Sequence, residues 1–167
     1  MLAALQALSE HLQTPTKLLM GGGGCMVLAY GFPMATNDID AVIYKSETTL
    51  QDIAPFVLKI ASEQNLPKDW LNPYFETFLF SLPKDYESRL VNILHKNQLQ
   101  VNGLGAEDLL ILKCFAGRDK DIPHARALLK RQLNLDLVYQ HIYSLIEKNI
   151  PNAKKALDFL DDLTDEG

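Results

Sequence analysis

Two carboxylates stand two residues apart in an otherwise apolar segment, Asp38-Ile39-Asp40-Ala41-Val42-Ile43-Tyr44. Side chains alternate along a strand, so Asp38 and Asp40 share one face while Ile39, Ala41 and Ile43 take the other. Two adjacent anions repel each other unless something positive lies between them. A hard divalent cation that binds carboxylate and phosphate oxygens together is the natural neutraliser, which makes Mg²⁺ (or Mn²⁺) carrying a phosphate ester the expected ligand. Taken alone, an Asp-x-Asp more often faces solvent at a sheet edge.

A second feature stands just upstream. Gly21-Gly22-Gly23-Gly24 follows the short apolar run Lys17–Met20 and precedes the almost wholly apolar Cys25–Tyr30. The pattern predicts a strand, a tight turn and a buried helix. Glycines there let the backbone approach a phosphate, and the unsatisfied N–H groups of a helix start favour anions. The run is not a P-loop, because no Gly-Lys-Ser/Thr follows. Nor is it a dinucleotide fingerprint, because Met26 stands where a further glycine is needed. Four glycines by themselves are more often a flexible turn.

The distal half adds cations. Lys113 is the single charge in Leu109-Leu110-Ile111-Leu112-Lys113-Cys114-Phe115-Ala116, and a cation in such a run either snorkels to the surface or meets an anion. Asp121 precedes Pro123, so it reads as the N-cap of a helix. Arg118, Lys120, Arg126, Lys130 and Arg131 cluster in one stretch, as a local patch for an anionic partner or as solvated helix faces. His124 reads as a surface helix residue rather than a base or ligand. Trp70, Tyr74 and Phe75 offer rings for stacking on a base, or cover for the core.

These residues need elements to position them. Leu2, Leu5, Leu8 and Leu12 recur at helical spacing and predict an opening amphipathic helix ended by Pro15. A helix is expected from about Thr49 to Gln64, then short strands around Phe78–Phe80, Leu90–Leu94 and Leu99–Val101. Helices are expected at Ala106–Ala116, Asp121–Gln132, Asp136–Lys148 and Pro151–Leu163. The fold class is therefore α+β, a mixed sheet backed by helices with a helical C-terminal part. At 167 residues and 47% hydrophobic content, one domain is expected, sheet-rich over 1–104 and helical over 105–167.

A net charge of −5 with 22% charged residues excludes wholesale nucleic-acid binding by counterion release and leaves only a local patch for it. Cys25 and Cys114 match no metal-ligand spacing and are too few for a disulfide framework, which suits a cytoplasmic protein. No apolar run approaches the roughly 18 residues of a membrane span, and neither a signal peptide nor a membrane anchor is expected.

Taken together, the Gly21–Gly24 turn, a short helix and Thr36-Asn37-Asp38-Ile39-Asp40 resemble the motif of the nucleotidyltransferase superfamily, a Gly-Gly or Gly-Ser turn followed by Asp-x-Asp. The likeness is closest to the minimal bacterial members that include abortive-infection toxins of type IV toxin–antitoxin systems. There the strand is entered through Arg-x-Thr-x-Asp-x-Asp; Thr36, Asp38 and Asp40 fit, and Met34 occupies the arginine position. The block Lys113-Cys114-Phe115-Ala116-Gly117-Arg118-Asp119-Lys120-Asp121-Ile122 is similar to their Lys-x-x-Ala, Arg, Lys-Asp-Ile signature.

The resemblance implies a DNA polymerase β-like fold and transfer of a nucleoside monophosphate from a nucleoside triphosphate to an acceptor hydroxyl on tRNA, a protein or a small molecule. It assigns the metal to Asp38 and Asp40, and catalysis to these two with Lys113 and Asp121. Nucleotide binding falls to Gly21, Gly22, Gly23, Gly24, Thr36, Lys113 and Arg118, and an antitoxin becomes a candidate partner. Many nucleotidyltransferases place a third carboxylate on a neighbouring strand, whereas the candidate strand Arg89–Leu94 offers Asn92. The alternative is a non-catalytic nucleotide-binding or interaction module that keeps the fold.

Overall fold

The computed structural model describes residues 1–36 and 38–165; Asn37, Glu166 and Gly167, the first of them part of the motif above, lie outside the described residues. The chain is α+β and divides into two compact units, one of Met1–Glu76 with Leu90–Leu104, the other of Thr77–Arg89 with the chain from Gly105 onward.

The first unit is built on a five-stranded mixed sheet of β1 (Thr16–Met20), β2 (Ile39–Ile43), β3 (Leu71–Asn72), β4 (Val91–Lys96) and β5 (Leu99–Gly103), in the order β3-β2-β1-β5-β4. β1 runs antiparallel to β2 and parallel to β5, β2 is parallel to β3, and β4 and β5 form a hairpin. Pairing in register sorts the side chains into two faces. Leu18, Met20, Ile39, Ala41, Leu99 and Val101 share one face and are fully buried. On the other face Lys17, Asp40, Tyr44, Asn72, Gln100, Asn102 and Asn92 surround the apolar Leu19 and Val42. The helices of this unit are α1 (Leu2–Ser9), α2 (Gly22–Tyr30) and α3 (Leu50–Gln64). α2 packs on β2 and β4, and α1 packs on α3.

Local chemistry explains these elements. Thr49 caps α3: its side chain accepts the Asp52 N–H while Asp52 accepts the Thr49 N–H, a capping box that closes two orphan donors. Asn65 in the left-handed conformation ends the same helix. The opening helix stops at Ser9, before the expected Pro15, and the buried Leu12 lies beyond it.

The expected strand at Phe78–Phe80 is instead part of a 3-10 helix, Tyr74–Ser81. Pro73 starts that turn by accepting the Glu76 N–H at 2.9 Å, and the Ser81 hydroxyl donates to the Phe78 carbonyl at 2.7 Å. Backbone groups held at that spacing are not available to a sheet partner.

The second unit contains α4 (Ala106–Ala116), α5 (Ile122–Leu129), α6 (Leu135–Glu147) and α7 (Ala153–Asp165), with α4 packed against the other three. The helix expected over Asp121–Gln132 is shorter. A 3-10 turn at Asp119–Asp121 precedes it, and it ends at Leu129. Arg89 grips the fully buried Asp108 with two hydrogen bonds of 3.0 and 2.8 Å and reaches Asp85 at 2.9 Å, which fixes the first turn of α4. Among the described residues no helix is long and apolar enough to cross a membrane.

Trp70 holds β3 in place. Its ring is 1% exposed, its indole N–H donates to the Val57 carbonyl at 2.9 Å, and its own carbonyl accepts the Ile39 N–H at 2.6 Å. Trp70→Phe removes the indole bond and leaves a void, and is expected to cost about 2 kcal/mol, a fall of roughly 4–8 °C in thermal melts followed by circular dichroism. An unchanged melting temperature would mean that this anchor carries no stability.

Candidate functional site

Asp40 sits in β2, half-exposed, and Asp38 lies exposed one residue before the strand begins. The Thr36 hydroxyl donates to Asp38 Oδ1 at 2.9 Å, with the Asp38 carbonyl at 3.3 Å, so Thr36 orients the first carboxylate. Gly21 is the N-cap of α2, and Gly22, Gly23 and Gly24 form its first turn. The Gly21 N–H donates to the Asp40 carbonyl at 2.9 Å.

Sterics bear on Gly21, Gly22 and Gly24. Gly22 has φ +62, and a Cβ there would collide with the Asp40 carboxylate, standing 2.9 Å from its Cγ. A Cβ at Gly24 would meet the Met20 methyl at 2.6 Å and the Asp38 carbonyl at 3.2 Å, and one at Gly21 would press on the Phe75 ring at 3.1 Å. The turn and the acid pair are therefore one packed constellation. The N–H groups of Gly22, Gly23 and Gly24 lie in the first helical turn, where no carbonyl of the helix can satisfy them.

Among the described residues no group of three or more His, Cys, Asp and Glu side chains is placed to hold a metal ion. Two carboxylates with hard oxygen donors still fit Mg²⁺, which commonly takes one or two protein carboxylates and completes its shell with phosphate and water.

Asn92, the residue on the expected neighbouring strand, belongs to β4 at the far edge of the sheet. Three strand spacings, about 14 Å, separate β4 from β2. The strand that does flank the pair is β3, where Asn72 pairs in register with Asp40. A two-residue strand has no readable period, so sequence reasoning missed it. Asn92 instead donates to Asn102 at 3.4 Å, and Asn102 donates to the Tyr44 hydroxyl at 2.6 Å, an amide network further along the same face.

Of the three candidate stacking rings, Trp70 and Phe75 are core and Tyr74 is 53% exposed.

In the second unit, Lys113 does not snorkel. It is 6% exposed, and its Nζ donates to Asp121 Oδ1 at 2.7 Å. Arg118 Nε donates to Asp121 Oδ2 at 2.6 Å and its Nη2 to Oδ1 at 3.2 Å. Asp121 stands at the N-cap position of α5, yet its side chain caps nothing and serves the two cations. Burial opposes its ionisation, but the hydrogen bonds from Arg118 and Lys113 outweigh that and hold its pKa below the ordinary carboxylate value.

His124 is not a plain surface residue. Burial, and then the Lys113 charge, push its pKa down, so the ring is neutral near pH 7, and its buried Nδ1 has no hydrogen-bond partner. Lys120, Arg126, Lys130 and Arg131 are exposed. Both cysteines are buried free thiols, with pKa pushed up to about 12 by burial, which removes them as nucleophiles.

Two outcomes are expected from this geometry. Gly22→Ala and Gly31→Ala both place a side chain at positive φ, but nothing lies within 4 Å of a Cβ at Gly31. Each should lose about 1–2 kcal/mol to backbone strain. Gly22→Ala should lose more, because the Asp40 carboxylate must move; equal losses in urea titration would refute the packing described.

Asp121→Asn leaves Lys113 buried without its counter-charge and should cost about 3–5 kcal/mol at pH 7. Because the folded-state pKa of Asp121 is depressed, its contribution is present above the unfolded value near 4 and lost as pH falls through the folded value. Wild type and variant should therefore converge in stability below about pH 4; a gap that persists at acid pH would contradict the ion-pair origin.

A family model described as a nucleotidyltransferase of unknown function (DUF6036) matches residues 1–164. No curated protein and no solved structure matches the chain. The match spans nearly the whole chain, and the chain belongs to this nucleotidyltransferase family.

Proposed function

We propose that the protein is a Mg²⁺-dependent nucleotidyltransferase that moves a nucleoside monophosphate from a nucleoside triphosphate to an acceptor hydroxyl. The observation that carries this reading is the seating of the Asp40 carboxylate against Gly22, which makes a phosphate-approaching turn and a cation-binding pair parts of one surface.

In this reading Asp38, oriented by Thr36, and Asp40 hold the divalent ion, and the first-turn N–H groups of α2 donate to phosphate oxygens. Mg²⁺, when bound, supplies positive charge to the phosphate oxygens. The acceptor oxygen bonds to the α-phosphorus, the bond from that phosphorus to the α,β-bridging oxygen breaks, and pyrophosphate leaves while the acceptor proton passes to water or a base. By the family resemblance, Lys113 and Arg118, which share the Asp121 carboxylate, are proposed to bind phosphate, with Asp121 as a further functional acid.

A transfer-RNA end, a protein side chain or a small molecule would each serve as acceptor. The likeness to abortive-infection toxins supports a toxin role with an antitoxin partner, in the cytoplasm.

The test is incubation of purified protein with Mg²⁺, each α-labelled nucleoside triphosphate and a bacterial RNA and protein extract, beside Asp38→Ala/Asp40→Ala. Label transferred by wild type and not by the double variant is the expected result, and the labelled fraction names the acceptor class. No transfer together with no metal-dependent nucleotide binding would overturn the proposal. Metal-dependent binding without transfer would favour the non-catalytic module, a reading motivated by the amide side chain of Asn72 beside Asp40.

A further inference from the structure

We propose that Lys17 and Tyr44 form an oxyanion-binding site on the sheet face that carries Asp40, and that the site holds a phosphate or carboxylate group of the acceptor. The acceptor clause rests on the transferase reading above; the anion site stands without it.

Register builds the site. Tyr44 follows β2, and its N–H donates to the Lys17 carbonyl at 3.1 Å, which continues the β1–β2 pairing of Leu18 with Ile43. Lys17 pairs in turn with Gln100 of β5, and Gln100 with His95 of β4. Paired residues project from one face, so a hydroxyl, an ammonium, an amide and an imidazole stand in one row across four strands, about 4.8 Å apart at the backbone. The row contains no carboxylate.

Hydrogen bonding sets the polarity of the row. Asn102, only 7% exposed, accepts the side-chain N–H groups of Asn92 and Gln100 at Oδ1, each at 3.4 Å, and its own Nδ2 donates to the Tyr44 oxygen at 2.6 Å. An amide nitrogen offers no lone pair, so the Tyr44 O–H must be given to another acceptor. Among the described residues it has none, and neither has the Lys17 ammonium. Both side chains are half-buried. A charged donor and a neutral one on adjacent strands, both lacking an acceptor, suit an anion with more than one oxygen.

Position gives the site its use. Tyr44 lies four residues beyond Asp40, about 13 Å along the strand direction. An acceptor whose hydroxyl meets the α-phosphorus near Asp40 can therefore set an anionic group against Lys17 and Tyr44. A cationic acceptor would meet Lys17 as a like charge.

The first test needs neither metal nor nucleotide. Amide proton–nitrogen correlation spectra of the full chain are followed during titration with sodium phosphate and, separately, sodium acetate, against sodium chloride at matched ionic strength, for wild type, Lys17→Met and Tyr44→Phe. The Lys17 and Tyr44 signals of wild type should shift and saturate, and the anion that saturates them names the group. Each substitution should weaken that anion, Lys17→Met at least about fivefold. No saturable shift, shifts confined to Gly22–Gly24, or equal titration of wild type and Lys17→Met overturns the site. Thermal melts separate binding from a structural role: Lys17→Met should melt no lower than wild type, because Lys17 has no anion in the fold to lose, and a lower melting temperature counts against the site.

The acceptor clause is tested by transfer of label from the nucleoside triphosphate into the extract. Lys17→Met should lose at least about fivefold in transfer while Mn²⁺-dependent binding of a non-hydrolysable triphosphate stays as in wild type. Undiminished transfer overturns the acceptor role. If wild type itself transfers nothing, the transferase reading fails and takes the acceptor clause with it, while the anion titration still decides the site.

Discussion

The site depends on one steric constraint: the backbone of Gly22 must lie where the Asp40 carboxylate can rest against it. No side chain fits in that gap, and φ +62 at Gly22 is open at low cost only to glycine. From this contact the rest follows in order. The Gly21 N–H pairs with the Asp40 carbonyl, so α2 starts beside the strand that carries Asp40, and its first-turn N–H groups, which no carbonyl of the helix can satisfy, begin next to that residue. Gly22 is thus required by the Asp40 carboxylate, while Gly21 makes room for the Phe75 ring and Gly24 for Met20 and the Asp38 carbonyl.

The two units handle charge in opposite ways. In the second, each buried acid is matched inside the fold, Asp108 by Arg89 and Asp121 by Lys113 and Arg118. Such pairs are costly to break and add little net stability over an apolar core, so their worth lies in fixing α4 and the turn before α5. In the first, Asp38 stays exposed and is oriented by the Thr36 hydroxyl, the feature on which its proposed role as a metal ligand rests.

Much of this was legible in the sequence because the signals were physical and local. The carboxylates at 38 and 40, the glycine run and the uninterrupted apolar stretch around Lys113 each imply a steric or electrostatic demand, and α4 occupies Ala106–Ala116 as its pattern predicts. What escaped was set by tertiary pairing. β3 is two residues long and becomes a strand only because Trp70, anchored to α3, presents its carbonyl to Ile39. Asn72 was therefore invisible, and the flanking position fell to Asn92, which reads as a better strand but lies at the opposite edge. The 3-10 helix over Tyr74–Ser81 misled for a related reason: its aromatic content reads as strand, while Pro73 and Ser81 commit the backbone to short-range bonds.

The central claim, that the glycine turn and the acid pair form one metal–nucleotide site, is tested most directly by anomalous diffraction from crystals soaked with Mn²⁺ and a non-hydrolysable nucleoside triphosphate. A manganese peak at coordination distance from both Asp38 and Asp40, with phosphate density against the N–H groups of Gly22–Gly24, is the expected result. A peak bound by other side chains, or phosphate density away from the start of α2, would contradict it.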